Sequence, residues 1–285
     1  MSTSEAVLVT GASTGIGKAV VEDLRGRGVR VFAGVRDLAA VDDHPLVTPV
    51  RLDVTDAAGI AAAADTVAGA LGPSRLRGVV NNAGEAAGGP LEFLDLDKLR
   101  RHLEVNVVGQ LAVTQAFLPL LRERGVADPR IVFMGSISSR IALPFVGPYA
   151  ASKHAVLALG ESLRRELRPW GFRVAVIEPG TIATPIWGKG LDEIDAIEAG
   201  LPPRGREIYG EAIAGMRHVL AGEDERGMPP MKVARKVRHA LLARRPHAEY
   251  LVGADARQMA VARKLVPAPV LDRLVAAEVG RRGRG

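Results

Sequence analysis

Short apolar runs alternate with longer stretches of helical periodicity along most of the chain. The runs are Ala6–Thr10, Val29–Val35, Val47–Leu52, Leu76–Asn81, Arg130–Gly135, Phe172–Ile177 and Tyr250–Val252. They are nearly continuous rather than alternating, the pattern of strands covered on both faces. Between them lie a helix through about Arg27, an alanine-rich helix after Asp56, a long helix ending near Gly125, and another from about Pro148 to Pro169. This succession predicts an α/β fold in which about seven parallel strands are joined by right-handed crossovers, with helices on both faces.

The segment from about Ile182 to Met231 breaks the rhythm. It is rich in Gly, Pro and charge, its helical signals are broken, and it lies between two predicted strands. A long insertion at that place reads as a substrate lid rather than a linker. Beyond Gly253 a helical tail is expected over Ala256–Leu265 and Val270–Val279, separated by Pro267 and Pro269. No repeat or linker divides the chain, so residues 1–285 read as a single catalytic domain with the lid at 182–231 and the tail at 254–285.

Composition narrows the function classes. With 285 residues, 47% hydrophobic and 25% charged, the chain can bury a large core and is too apolar for disorder. It has no cysteine, which excludes a disulfide framework, a thiolate metal site and a cysteine nucleophile, and fits a cytoplasmic protein. The six histidines show no metal-ligand grouping, and no metal is expected. A net charge of +6 raises nucleic-acid binding as a reading. However, the arginines are scattered over helix surfaces and gathered at Arg281, Arg282 and Arg284, without a basic motif interleaved with aromatics. No nucleic-acid partner is therefore expected. Only Met1–Glu5 precede the first apolar run, so no signal peptide is expected. Nor is a membrane span, because no stretch approaches the roughly 18 consecutive apolar residues it requires.

The candidate chemistry sits at strand ends. Thr10-Gly11-Ala12-Ser13-Thr14-Gly15-Ile16-Gly17 lies between the first strand and the first helix. Glycines there let the backbone turn tightly and a pyrophosphate approach the N–H groups and positive dipole end of the helix. The second strand ends Gly34-Val35-Arg36-Asp37. NAD binders place an acid at the position taken here by Val35, whereas Arg36 suits the extra phosphate of NADP(H), which is favoured over NAD(H). A surface Arg36 paired with Asp37 is the competing reading. Tyr149 and Lys153 lie four apart, on one helical face. A nearby ammonium would lower the phenol pKa from its ordinary value near 10 and let Tyr149 exchange protons. Ser136 ends the fifth strand, where a hydroxyl can steady charge on a substrate oxygen. Asn81-Asn82-Ala83-Gly84 ends the fourth, where asparagines can tie neighbouring strand ends together.

In these motifs the chain resembles the short-chain dehydrogenase/reductase family over about Ala6–Gly253, and more loosely its hydroxysteroid and retinol dehydrogenase branch. Residues Thr10–Gly17, Asn81–Gly84, Ser136, Tyr149 and Lys153 match the family's pattern, as do Asn106 in the middle helix, Asp53, and Pro179, Gly180 and Thr184. The resemblance implies a Rossmann-type doubly wound sheet. It also implies catalytic Ser136, Tyr149, Lys153 and Asn106, with Asn106 placing a relay water. The implied cofactor contacts are Gly11, Ser13, Thr14, Gly15, Ile16, Gly17, Arg36, Asp53, Val54, Asn82, Ala83, Gly84, Tyr149, Lys153, Pro179, Gly180, Ile182 and Thr184. Alcohol and carbonyl substrates are implied, with a homodimer or homotetramer. Leu143, Pro144, Phe145, Val146, Ile186 and Trp187 would suit a lipophilic substrate. His154 should point away from Tyr149 and Lys153. The alternatives are a non-catalytic NADP(H)-binding sensor or scaffold, an epimerase, and a reductase of carrier-bound acyl groups.

Overall fold

A computed structural model describes residues 5–86, 88–123, 128–184, 194–220 and 227–282. The strands are β1 (Glu5–Thr10), β2 (Arg30–Val35), β3 (Val47–Arg51), β4 (Arg75–Asn81), β5 (Arg130–Met134), β6 (Arg173–Pro179) and β7 (Glu249–Val252). They form one sheet in the order β3-β2-β1-β4-β5-β6-β7, with every adjacent pair parallel. Each expected strand is present to within a residue or two.

The continuous apolar runs are explained by the two layers around the sheet. Val7 and Val9 face one layer with Val31, Ala33 and Val132; the alternate residues Ala6, Leu8, Phe32, Ile131 and Phe133 face the other. The first layer is built on α1 (Gly15–Arg25). The second holds α2 (Ala57–Leu71). The chain order reverses between β1 and β4, and the crevice at their carboxyl ends is where open α/β sheets bind ligands.

The middle helix differs from expectation. It is two helices, α3 (Leu96–Leu103) and α4 (Gly109–Leu121), joined by a π-turn over Glu104–Val108 that contains Asn106. Periodicity cannot register the one extra residue of a π-turn, a feature often found at functional sites. By length and composition the stretch Leu96–Leu121 could cross a bilayer. Here Val113, Phe117 and Leu121 bury into the second layer, beside α5 (Gly147–Leu167).

The insertion is more helical than its sequence implied. Residues 194–200 are helical, and α6 runs over Pro203–Leu220. Glycines at 205, 210 and 215 mask the apolar spacing of Ile213 and Met216, which pack with Ile194, Ile197, Leu201, Phe93 and Tyr209 in a small separate core. Both ends of the insertion are pinned together: Met228 N–H donates to Thr181 O (3.0 Å) and Ala183 N–H to Met228 O (3.0 Å). Helix α7 (Pro230–Leu242) then joins α1 in the first layer, and the tail forms α8 (Ala254–Leu265) and α9 (Ala268–Arg282), with α9 packed on α6. Ile186 and Trp187 lie outside the described residues.

Candidate active site

The glycine turn has the form an anion requires. Gly11 (φ +62°) and Gly15 (φ +55°) are left-handed, and a Cβ at Gly17 would run into the Gly11 carbonyl. Thr14, at the N-cap of α1, makes no side-chain capping bond, and the first turn carries no acid. The helix therefore presents N–H groups unclaimed by a capping side chain, beside Ser13 and Ile16. The turn is held from β4. Asn82 Nδ2 donates to Thr10 O (3.0 Å) and Gly11 O (3.1 Å), while Thr10 Oγ1 accepts from the N–H groups of Asn82 and Ala83 (both 3.0 Å). Gln110 Nε2 donates to Ala83 O (3.1 Å), and Asn81 Nδ2 to Thr114 Oγ1 (2.8 Å). Asn82 thus ties the ends of β1 and β4 as expected, whereas Asn81 holds helix α4 instead.

At the end of β2, Arg36 is exposed, and among the described residues its guanidinium forms no ion pair. Asp37 instead accepts from Ala39 N–H (3.1 Å). Asp53 Oδ1 accepts from Thr55 N–H (2.9 Å) and Thr55 Oγ1 (2.8 Å), which holds its carboxyl below the usual range, with nearby Arg36 adding to the effect. Val54 is buried beside it.

Ser136 caps the short turn Ile137–Ser139 after β5. Its Oγ accepts from Ser138 N–H (3.1 Å), and its own N–H donates to Ser139 Oγ (3.2 Å). The next residue, Arg140, forks onto Glu178 (2.6 Å to each oxygen) and reaches Glu249 (2.5 Å). Burial pushes the fully buried Glu178 carboxyl up, against the pull of Arg140, and the bonds to Glu178 raise the guanidinium in turn. The turn carrying Ser136 is so fastened to β6 and β7.

Pro148 sits in the first turn of α5, where a missing N–H costs nothing, and Tyr149 and Lys153 follow on one face. Part of the Tyr149 ring stays accessible, but desolvation pushes its phenol up while a hydrogen bond with Ser136 pulls it down. Lys153 is buried, its Nζ 5.5 Å from the Tyr149 ring centroid and donating to Met134 O (2.8 Å). Burial pushes this amine down to about 8. His154 bonds within its helix, to Ala150 O (2.8 Å).

Asn106 lies behind this group. Its Oδ1 accepts from Glu85 N–H (2.9 Å), and its Nδ2 donates to Glu85 O (2.9 Å) and Ser152 Oγ (3.1 Å). It does not touch Lys153; both flank Gly84, where an added Cβ would lie 3.1 Å from Asn106 Oδ1 and 3.7 Å from Lys153 Nζ. After β6, Gly180 N–H donates to Val252 O (2.9 Å), and Asp255 accepts from Thr181 N–H (2.7 Å). These bonds hold the loop of Pro179, Gly180, buried Ile182 and Thr184. Leu143–Val146 lie ahead of Tyr149, with Phe145 edge-on to Tyr209 of α6 (6.1 Å).

Ser136 and Tyr149 therefore meet directly, Lys153 lies beside the Tyr149 ring, Asn106 backs them, and Arg36 and Asp53 mark the far end of the crevice. Sequence reasoning missed Thr10 as an acceptor, Gln110, Ser139, Ser152, Glu85 and His102. One signal was available: His102, Asn106 and Gln110 recur every fourth residue on one helical face.

The short chain dehydrogenase family model matches residues 5–194. An NADPH-dependent 3-dehydrocapnine reductase of Ornithobacterium rhinotracheale is 34% identical, covering 94% of this chain and 94% of its own. Human retinol dehydrogenase 5 is 34% identical, covering 93% of this chain and 86% of its own. Among solved structures, a short chain dehydrogenase/reductase from Burkholderia phymatum in complex with NAD superposes with a TM-score of 0.76. It is 26% identical and covers 92% of this chain and 93% of its own.

Proposed function

Because the chain belongs to the short-chain dehydrogenase family, we propose that it is an NADP(H)-dependent oxidoreductase with Tyr149 as acid–base, interconverting an alcohol and a ketone or aldehyde, the substrate being lipophilic. The observation that carries the reading is the grouping of Ser136, hydrogen-bonded to Tyr149, with buried Lys153 beside the Tyr149 ring at the carboxyl edge of the sheet.

The residues present fit a dinucleotide. The uncapped first turn of α1 and the glycine turn Gly11–Gly17 suit its pyrophosphate. Asp53 and Val54 would hold the adenine end, Asn82–Gly84 the floor, and Pro179, Gly180, Ile182 and Thr184 the nicotinamide end. Arg36, with no competing acid, suits a 2′-phosphate, which is the ground for preferring NADP(H). When bound, the nicotinamide supplies or accepts the hydride. Ser136 Oγ steadies the substrate oxygen by hydrogen bonding. Tyr149 Oη gives that oxygen a proton in reduction and takes one in oxidation. Lys153, charged below about pH 8, favours the phenolate and offers N–H groups to the cofactor ribose. With burial holding its phenol protonated, Tyr149 is set to donate.

Two variants test this reading. Tyr149→Phe is expected to lower kcat by at least roughly a hundredfold while NADPH binding, followed by fluorescence titration, stays within about twofold. Retained turnover would remove Tyr149 as the acid–base. Arg36→Ala is expected to cost NADPH binding about 1.5–3 kcal/mol, the worth of a charged hydrogen bond, and to leave NADH binding nearly unchanged. Equal losses would refute the phosphate role.

A further inference from the structure

A histidine that the mechanism does not use is buried behind the catalytic group. His102 is 1% exposed and lies one helical turn before Asn106. Its Nε2 is 3.0 Å from Asn106 Nδ2 and 3.4 Å from Ser152 Oγ, and its ring centroid is 6.2 Å from that of Tyr149. On the other side, Nδ1 is 3.8 Å from Glu85 Oε1, within ion-pair range though long for a hydrogen bond. Contact with His102 holds the Glu85 carboxyl below its ordinary range.

The surrounding bonds decide which nitrogen carries the proton. Glu85 N–H can only donate, so the Asn106 atom it meets is the carbonyl oxygen and the atom facing His102 is the amide nitrogen. Ser152 spends its own proton on Tyr149 O (2.8 Å), so toward Asn106 it accepts. Asn106 Nδ2 thus shares two hydrogens among Glu85 O, Ser152 Oγ and His102 Nε2. A proton on Nε2 would set donor against donor at 3.0 Å. The imidazole is therefore neutral with its hydrogen on Nδ1, facing the half-exposed Glu85 carboxylate.

We propose that His102 and Glu85 are a positioning pair for the reaction. Glu85 selects the Nδ1–H tautomer, and His102 Nε2 then anchors the Asn106 amide inside the π-turn. Asn106 in turn orients Ser152, whose hydroxyl holds the Tyr149 carbonyl in the first turn of α5. The pair sets where the Tyr149 phenol and Lys153 amine stand, and it touches neither cofactor nor substrate. The proposal rests on the reading of Tyr149 and Lys153 as catalytic.

The test combines nitrogen NMR of the imidazole in the full-length protein with kinetics of His102→Leu, His102→Gln and Glu85→Leu. NMR should find His102 protonated at Nδ1 and bare at Nε2, with Glu85→Leu admitting the other tautomer. An Nε2–H imidazole in the parent protein overturns the proposal whether or not any substrate turns over. In the kinetics, His102→Leu should lower kcat roughly ten- to a hundredfold, the scale of a misplaced catalytic group, with NADPH affinity within about twofold. His102→Gln restores an acceptor toward Asn106 and should recover kcat to within about threefold of the parent. Glu85→Leu should lower kcat in the parent and have no further effect beside His102→Gln, because a glutamine has no tautomer to select. Equal kcat for the Leu and Gln variants at equal melting temperature overturns the positioning role. If His102→Leu fails to fold, the Glu85→Leu and His102→Gln cycle decides alone. A parent that shows the expected tautomer but turns over nothing places the failure in the catalytic reading, not in the pair.

Discussion

Lys153 carries its amine into a site where no carboxylate among the described residues receives it. Its hydrogen bond to the Met134 carbonyl offsets only part of the lost hydration, so its pKa falls from 10.5 to about 8. Between those values the unfolded chain binds more protons than the folded one, so stability rises with pH across the window. The whole effect is about 3 kcal/mol at 1.36 kcal/mol per pKa unit. Lys153→Met lacks it. Urea midpoints at pH 7.5 and pH 10 should therefore shift in the parent's favour relative to the variant, and an unchanged difference would contradict the depressed amine. Above pH 10 the raised phenol of Tyr149 works in the opposite sense, so the comparison stops there. The spacing of Tyr149 and Lys153 was legible in the sequence, but their electrostatics were not. The sequence argued that the ammonium lowers the phenol; burial instead raises it, opposed by the hydrogen bond with Ser136.

Each side chain proposed as catalytic depends on a local element with its own geometry. The glycine turn is the most legible: left-handed Gly11 and Gly15 and the close approach of Gly17 leave no freedom in residue type. Gly17→Ala should cost about 1–3 kcal/mol by overpacking against Gly11 and weaken NADPH binding. Melting curves with and without NADPH would check this, and unchanged curves would show that the turn relaxes freely. The π-turn around Asn106 is the least legible element. Its hydrogen bonds reach Glu85 and Ser152, which are distant in sequence, as well as His102 one turn away, and no local propensity announces them. Helix α6 was similarly obscured, because its three glycines read as breaks until Ile194, Leu201 and Phe93 gave its apolar face a partner.

At the scale of the whole molecule, a part-buried charge network links the site to the β7 edge of the sheet. Arg140 spans Glu178 on β6 and Glu249 on β7, directly below the turn that carries Ser136. Arg140→Met leaves Glu178 charged, buried and unpaired, and should cost about 3–5 kcal/mol. Denaturant unfolding measures that loss, and pairing the change with Glu178→Leu should recover much of it. No recovery would mean the arginine acts by packing. The cations, scattered in the sequence, also gather in three dimensions. Arg27, Lys232, Arg235, Lys236 and Arg257 line a cleft of about 750 Å³ along α7, and none of them has an acidic partner among the described residues. The linear chain determined the strand order in time, the glycine turn, and the identities of Ser136, Tyr149, Lys153 and Arg36, because strand periodicity and short motifs are local. Tertiary structure decided protonation, the π-turn, the Arg140 network and the setting of His102. Those depend on desolvation and on partners that only the folded crossovers bring together.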